Sequence, residues 1–365
     1  MKKIYIIATI IIVAIVIGTQ WIHIYEQDTE VTKEVTRVGV LLNGSVNDGS
    51  WSQSHYEGLQ YVAEELNLEI LYKENTEEAR AEQYIEELIE QDCKIIIANS
   101  FGFGEAVTAA AEKNPEIYFL HATGVGHGKN LSTYFGRMYQ IRYLSGIVAG
   151  MQTETNKIGY VAAFPISEVN RGINAFALGV RSVNPEATVY VSWINSWTDD
   201  TATEAATYQL LEQHDIDVLT MHTDSLKPLE IAEKEGILSI GYNADNSQKY
   251  PNTYLTAAIW NWENFYSPTI LRCLQGKFEG KHYWESVNTD IVSLAPLTDK
   301  VKPGVEEKVA VQLERLNSGT YDVFYGPIAD NEGNLRIAEE ESMTDDAMLN
   351  CFDWYVEGVV IDEER

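Results

Sequence analysis

The chain has 365 residues, 45% of them hydrophobic and 11% aromatic, enough for real cores and for two domains rather than one small one. Lys and Arg total 26 against 55 Asp and Glu, a formal net charge of −29. Such a surface repels phosphate backbones and excludes nucleic acid as a partner, while the aromatic content argues against disorder as the source of the acidity.

In chain order, Met1-Lys2-Lys3 precedes the apolar run Ile4–Ile17, which extends weakly through Trp21, Ile22 and Ile24. A basic end before an apolar run is an export signal or a membrane anchor. No clean small-x-small cleavage site follows, and the run approaches the ~20 residues of a spanning helix. The expectation is therefore an uncleaved anchor over residues 1–24 with the remainder outside the membrane, the alternative being a removed signal. Residues 25–36 form a polar, acidic linker.

Beyond the linker, strand and helix patterns alternate. Short apolar runs at 37–42, 94–98, 116–121, 158–163, 216–221 and 237–241 are separated by helical patterns near 54–66, 77–91, 103–113, 138–152, 168–182, 200–213 and 226–235, with another near 262–275. Continuous apolar strands between helices imply parallel sheets covered on both faces, an α/β fold. Ser54 and Glu57 have capping-box spacing for the first helix. Trp51 stands before it in a polar turn, where its ring either stacks on something flat or folds back onto the core.

In open parallel sheets, ligands bind beyond the carboxyl ends of the strands. In the first half those ends read Asn43-Gly44-Ser45, Asn99-Ser100-Phe101 and His121-Ala122-Thr123; in the second they read Phe164-Pro165, His222-Thr223-Asp224 and Asn243-Ala244-Asp245. Two such sheets facing one another make a cleft that closes on a small solute. Asp224 and Asp245 suit acceptance from an N–H or amine, or helix capping. Asn243 can donate and accept at once, or serve a turn. His121 and His222 have no third metal ligand at suitable spacing and are taken as hydrogen-bonding groups, so no metal or cofactor is expected. No nucleophile elbow or Cys–His signature is present, which argues against an enzyme. Cys93, Cys273 and Cys351 are widely separated and are expected to be buried thiols.

From about Arg37 to Val360 the chain resembles the basic membrane protein family of solute-binding proteins that serve ABC importers. The resemblance lies in Asn47-Asp-Gly-Ser-Trp-Ser-Gln-Ser-His-Tyr-Glu-Gly58, Tyr134-Phe-Gly-Arg-Met-Tyr-Gln140, Tyr143-Leu-Ser-Gly-Ile-Val-Ala-Gly150, Gly159-Tyr-Val-Ala-Ala-Phe-Pro165, Gly241-Tyr-Asn-Ala-Asp245, Phe324-Tyr-Gly-Pro327 and Asp353-Trp-Tyr-Val-Glu-Gly-Val359. It implies a type I periplasmic-binding fold: two Rossmann-like lobes with parallel central sheets, joined by a multi-strand hinge. The expected division is 37–152 plus 256–290 for the first lobe and 153–255 plus 291–365 for the second.

The same resemblance implies a purine ligand, an ABC permease as partner, and a purine-stacking role for Trp51, where many relatives carry phenylalanine. Asn243 and Trp260 stand where relatives carry the aspartate and lysine that hold the ribose. Trp260 is therefore expected to fill the sugar space or close over a bare base, and a purine nucleobase, adenine first, is preferred to a nucleoside. The expected ligand-binding set is Trp51, Asn99, Ser100, His121, Phe164, Asp224, Asn243, Asp245 and Trp260. The alternatives are a nucleoside-binding protein, a membrane-anchored solute sensor and, with two cleft carboxylates, a nucleoside hydrolase.

Overall fold

The computed structural model describes residues 35–362. The expected anchor and most of the linker lie outside the described residues. Among the described residues, no helix is long and apolar enough to cross a membrane.

Two sheets organise the chain. The first contains β1 (Thr36–Leu41), β2 (Leu68–Lys73), β3 (Cys93–Ala98), β4 (Tyr118–Ala122), β5 (Leu131–Gly136) and a late strand at His282–Glu285, in the order late strand-β5-β4-β3-β1-β2. The β1–β3, β3–β4 and β4–β5 pairs are parallel, as is β5 with the late strand. The second sheet contains β6 (Lys157–Ala162), β7 (Thr188–Trp193), β8 (Val218–His222), β9 (Leu238–Asn243) and β10 (Tyr254–Trp260). Its edges are Val292–Leu294, antiparallel to β10, and Val359–Ile361, parallel to β7. In chain order the late strands are β11 (His282–Glu285), β12 (Val292–Leu294), β13 (Ile328–Ala329), β14 (Leu335–Ile337) and β15 (Val359–Ile361); β13 and β14 form a separate two-stranded ribbon. β5 and β8 are buried along their whole length. That double-sided burial is what the continuous apolar runs require.

Helices cover the sheets: α1 (Trp51–Leu66), α2 (Ala81–Glu90), α3 (Gly104–Lys113), α4 (Met138–Gln152), α5 (Ser167–Val183), α6 (Asp200–Gln213), α7 (Lys227–Glu235), α8 (Glu263–Leu274), α9 (Val305–Asn317) and the short α10 (Asp345–Asn350). α4 is buried at every position but Met151. It packs on α5 through glycine, since a Cβ at Gly146 would overlap the Phe176 carbonyl and one at Gly179 would overlap the Tyr143 carbonyl. The small residues of the Tyr143–Gly150 motif therefore serve helix packing.

The chain passes between the lobes three times, after β5, after β10 and between β11 and β12. This corrects two expected boundaries. α4 packs on α5, β10 and β12, so the first crossing falls near Arg137 rather than 152. β10 belongs to the second sheet, so the return falls at Asn261-Trp262 rather than 256. Trp262 then anchors α8 in the first lobe, its Nε1–H donating to Ser54 Oγ at 3.0 Å. Of the three thiols, Cys93 and Cys273 are buried as expected, whereas Cys351 is exposed; all three are free.

Candidate functional site

The loop after β1 is built around Asp48. Its carboxylate accepts from the backbone N–H of Ser50 at 2.8 Å, Ser52 at 2.9 Å and Gln53 at 3.0 Å, satisfying amides that a helix start leaves free. The expected Ser54–Glu57 capping box does not form, because the helix begins at Trp51. Ser54 Oγ instead donates to the Trp51 carbonyl at 2.7 Å. Asn99, at the end of β3, fixes this loop by accepting from the Asn43 N–H at 2.9 Å.

Trp51 packs into the wall of the interlobe cleft. Its ring is only 8% exposed, yet it lines a cleft of about 740 Å³ between the lobes. Its Nε1–H donates to the Asn99 carbonyl at 2.9 Å. His55, Trp262 and Trp260 meet it edge-on with ring centres at 4.4, 5.4 and 5.6 Å. The neighbours are aromatic rather than aliphatic, and they fix the plane of the indole before any ligand arrives.

The second lobe contributes Asn243 and Asp224. Asn243 adopts φ +69°, a left-handed conformation that asparagine tolerates better than most residues. Its Nδ2 donates to Asp224 Oδ1 at 2.8 Å and across the cleft to Ser50 Oγ at 2.9 Å, while its Oδ1 accepts from Trp260 Nε1–H at 2.9 Å. Both amide protons are thus committed, and the expected reading of a ligand edge by this side chain is reduced to one spare acceptor lone pair. Burial, reinforced by the nearby charges of Asp48 and Glu168, holds the Asp224 carboxyl well above the usual carboxylate range.

Five of the nine expected residues line the cleft: Trp51, Asn99, Ser100, Asp224 and Asn243. The other four lie elsewhere. His121 is buried, its Nε2–H donating to the Ser100 carbonyl at 2.7 Å, so it supports the loop that bears Ser100. Phe164 packs against Trp197 at 5.9 Å, and it is Trp197 that reaches the cleft. Asp245 is exposed and accepts from the Ser247 N–H at 2.9 Å, a turn-capping role. Trp260 is buried and stacked on Trp262 at 4.6 Å, so it does not fill sugar space. His121 and His222 end strands of different sheets, and the described residues contain no cluster suited to a metal.

Several lining residues escaped the sequence reading. Glu168 and Arg171 stand at the start of α5, just beyond β6, and Trp284 comes from β11 at the hinge. The first two lie only a few residues beyond Phe164-Pro165, the strand end singled out after β6. Trp284 reaches the cleft only through the pairing of β11 with β5, a contact between residues about 150 positions apart. Arg137 and Arg171 lie over its ring at 4.0 and 5.2 Å, and Arg137 also holds Asp345 through both carboxylate oxygens.

Two doubly wound lobes, three crossings and a polar-aromatic cleft between the strand ends define a hinged small-molecule-binding protein of the type I periplasmic-binding fold. More particularly, residues 35–323 match the family described as ABC transporter substrate-binding protein PnrA-like, and the chain belongs to that family. A small-molecule ligand and ABC permease partners come with it. The chain is 37% identical over 298 residues to a putative ABC transporter glucose-binding protein, TsgA13, of Haloferax volcanii, covering 81% of this chain and 76% of the relative. It is 33% identical over 333 residues to a purine-binding protein of Brucella abortus, covering 90% and 93%. Among solved structures, an ABC transporter solute-binding protein of Aeropyrum pernix superposes with a TM-score of 0.69 at 17% identity, over 79% of this chain and 92% of that one.

Proposed function

We propose that this protein captures a purine compound outside the cell and delivers it to an ABC permease, with Trp51 as the stacking platform and Asp224 as the polar group that reads the ligand. The observation that carries the proposal is the indole of Trp51, held rigid by Asn99 and three rings at the wall of an interlobe cleft. Stacking a base on an aromatic ring contributes roughly 1–3 kcal/mol. The preference for a bare base rests on Asn243 and Trp260 replacing the ribose-holding aspartate and lysine, and on Trp260 filling the sugar space or closing over the base. With that ring outside a cleft of about 740 Å³, a volume ordinary for ligands larger than a base, the reading shifts to a purine nucleoside. The basic end and the run Ile4–Ile17 support an anchored protein.

A sugar is the second reading, favoured by the glucose-binding description of the Haloferax relative and by the asparagines and carboxylates around the cleft. A thermal-shift panel of purine bases, nucleosides, hexoses and amino acids tests both. A ligand at a hundred times its dissociation constant adds about 2.7 kcal/mol of stability. A shift with adenosine, guanosine or inosine and none with glucose supports the proposal; a shift with glucose alone overturns it in favour of the second reading.

A further inference from the structure

Behind the cleft wall lies a second, much smaller recess of about 10 Å³, bounded by Met138, Arg142, Glu168, Arg171, His222 and Tyr242. That is room for one water-sized occupant. We propose that it is a binding site for one small monoatomic anion of the halide class, held chiefly by Arg142.

The case rests on Arg142. Its side chain is fully buried in α4, and its Nη1–H donates to the Met221 carbonyl at 2.9 Å. Its Nε and Nη2 make no hydrogen bond, and among the described residues no carboxylate lies within 4.0 Å of the guanidinium. A guanidinium cannot shed its proton and can only donate, so burial leaves two donors and a full charge to be answered. The faces of Tyr242 at 3.9 Å and Tyr160 at 5.7 Å answer part of the charge but none of the donors.

His222 stands on the same wall. Its Nδ1 pairs with the Tyr160 hydroxyl at 3.1 Å, and its buried Nε2, 3.9 Å from Glu168, has no hydrogen-bond partner. With Nδ1 accepting from Tyr160, Nε2 carries a hydrogen and becomes a third donor on the recess. Arg171 adds a second positive charge, though its Nη1 is spent on the Met348 carbonyl at 2.6 Å. Against two guanidinium groups the walls offer one carboxylate, Glu168, whose side chain is 27% exposed toward the cleft. A water would meet two donors and leave the charge unbalanced. An acceptor-only monoanion meets all three donors and balances the charge. Met138 supplies a compliant wall that adjusts to an occupant slightly larger than water.

Crystals of the protein grown in sodium bromide, measured at the bromine edge, test the site directly. The expected result is an anomalous peak inside the recess between Arg142 and His222. Ordinary water density there without anomalous signal, or bromide at adventitious surface positions only, overturns the proposal. In solution, unfolding midpoints at constant ionic strength are expected to rise with chloride or bromide relative to gluconate, and Arg142→Met is expected to abolish that difference. Equal midpoints in the three salts overturn the proposal, and if Arg142→Met does not fold, the wild-type bromide map decides alone.

Discussion

Asp224 Oδ1 accepts a hydrogen bond from Asn243 Nδ2 at 2.8 Å, which leaves Oδ2 as the uncommitted oxygen of the pair at the cleft. Replacing Asp224 separates its two roles. Asp224→Ala removes the ligand contact and strands a buried amide proton of Asn243. The expected loss of affinity is about 2- to 12-fold, from the ~0.5–1.5 kcal/mol of a hydrogen bond between uncharged groups; titration calorimetry reads it. Asp224→Asn tests the electrostatics. Burial raises the folded-state pKa above its unfolded value, so the folded protein holds a proton that the unfolded chain has released. The stability this group contributes is complete below the unfolded pKa near 4 and is lost as pH rises toward the folded value. The variant is expected to gain stability relative to wild type at pH 8 but not at pH 4, as read by urea denaturation.

Trp51 carries a prediction with a built-in control. Trp51→Leu keeps an apolar side chain at the helix start but removes the flat face. Purine affinity is expected to fall roughly 5- to 150-fold, the equivalent of 1–3 kcal/mol. Because Trp51 is also packed among His55, Trp260 and Trp262, stability is expected to fall as well. Affinity is therefore to be measured well below the unfolding midpoint. Unchanged purine binding would remove stacking from the account.

What the sequence disclosed follows from the range of the signals. β3, β8 and β9 are short apolar runs between helical patterns, and the strand-end rule led from them to Asn99, Ser100, Asp224 and Asn243. Where a residue's role depends on distant pairing, sequence was mute. Trp260 looked like a cleft residue by position, but its stacking on Trp262 and its bond to Asn243 arise only when β10 joins β9 in the second sheet and the chain turns back at Asn261. The same blindness applies to α4, whose largely apolar sequence does not say which lobe it serves. The glycines of α4 and α5 answer that only when the two helices are seen face to face.

Gly49 tests closure of the lobes. It has φ +73°, its carbonyl accepts from Asn246 Nδ2 across the cleft at 2.9 Å, and a Cβ there would lie 2.6 Å from Leu226 Cδ1 in the second lobe. Gly49→Ala pays for a left-handed conformation, about 1–2 kcal/mol, in addition to pressing on Leu226. Where the lobes separate, the Leu226 contact vanishes, so the added penalty falls on the closed form. Ligand affinity is expected to fall several-fold with little change in the first-lobe core. Small-angle scattering of the ligand-free variant is expected to show a larger radius of gyration than wild type. Wild-type affinity and dimensions would mean that this contact does not govern closure.

His222 predicts an acid limit to stability. Burial, with the Arg142 charge next in weight, pushes its pKa down to about 4 from an ordinary value of 6.5. The unfolded chain therefore takes up a proton in a range where the folded protein refuses it. Stability from the neutral ring is complete above pH 6.5 and is lost as pH falls toward 4. By pH 5 the loss from this one group is about 2 kcal/mol relative to pH 7.5. His55 and His121 are also buried with lowered pKa values, so the wild-type curve alone does not isolate His222. The difference between wild type and His222→Gln does, because glutamine cannot titrate. Denaturation in halide-free buffer at pH 7.5 is expected to show the variant less stable than wild type, since the packing against Tyr242 and the bond to Tyr160 are lost. At pH 5 that gap is expected to narrow by about the same 2 kcal/mol. A gap independent of pH would mean that the folded protein takes up the His222 proton as readily as the unfolded chain, with Glu168 at 3.9 Å as its counter-charge.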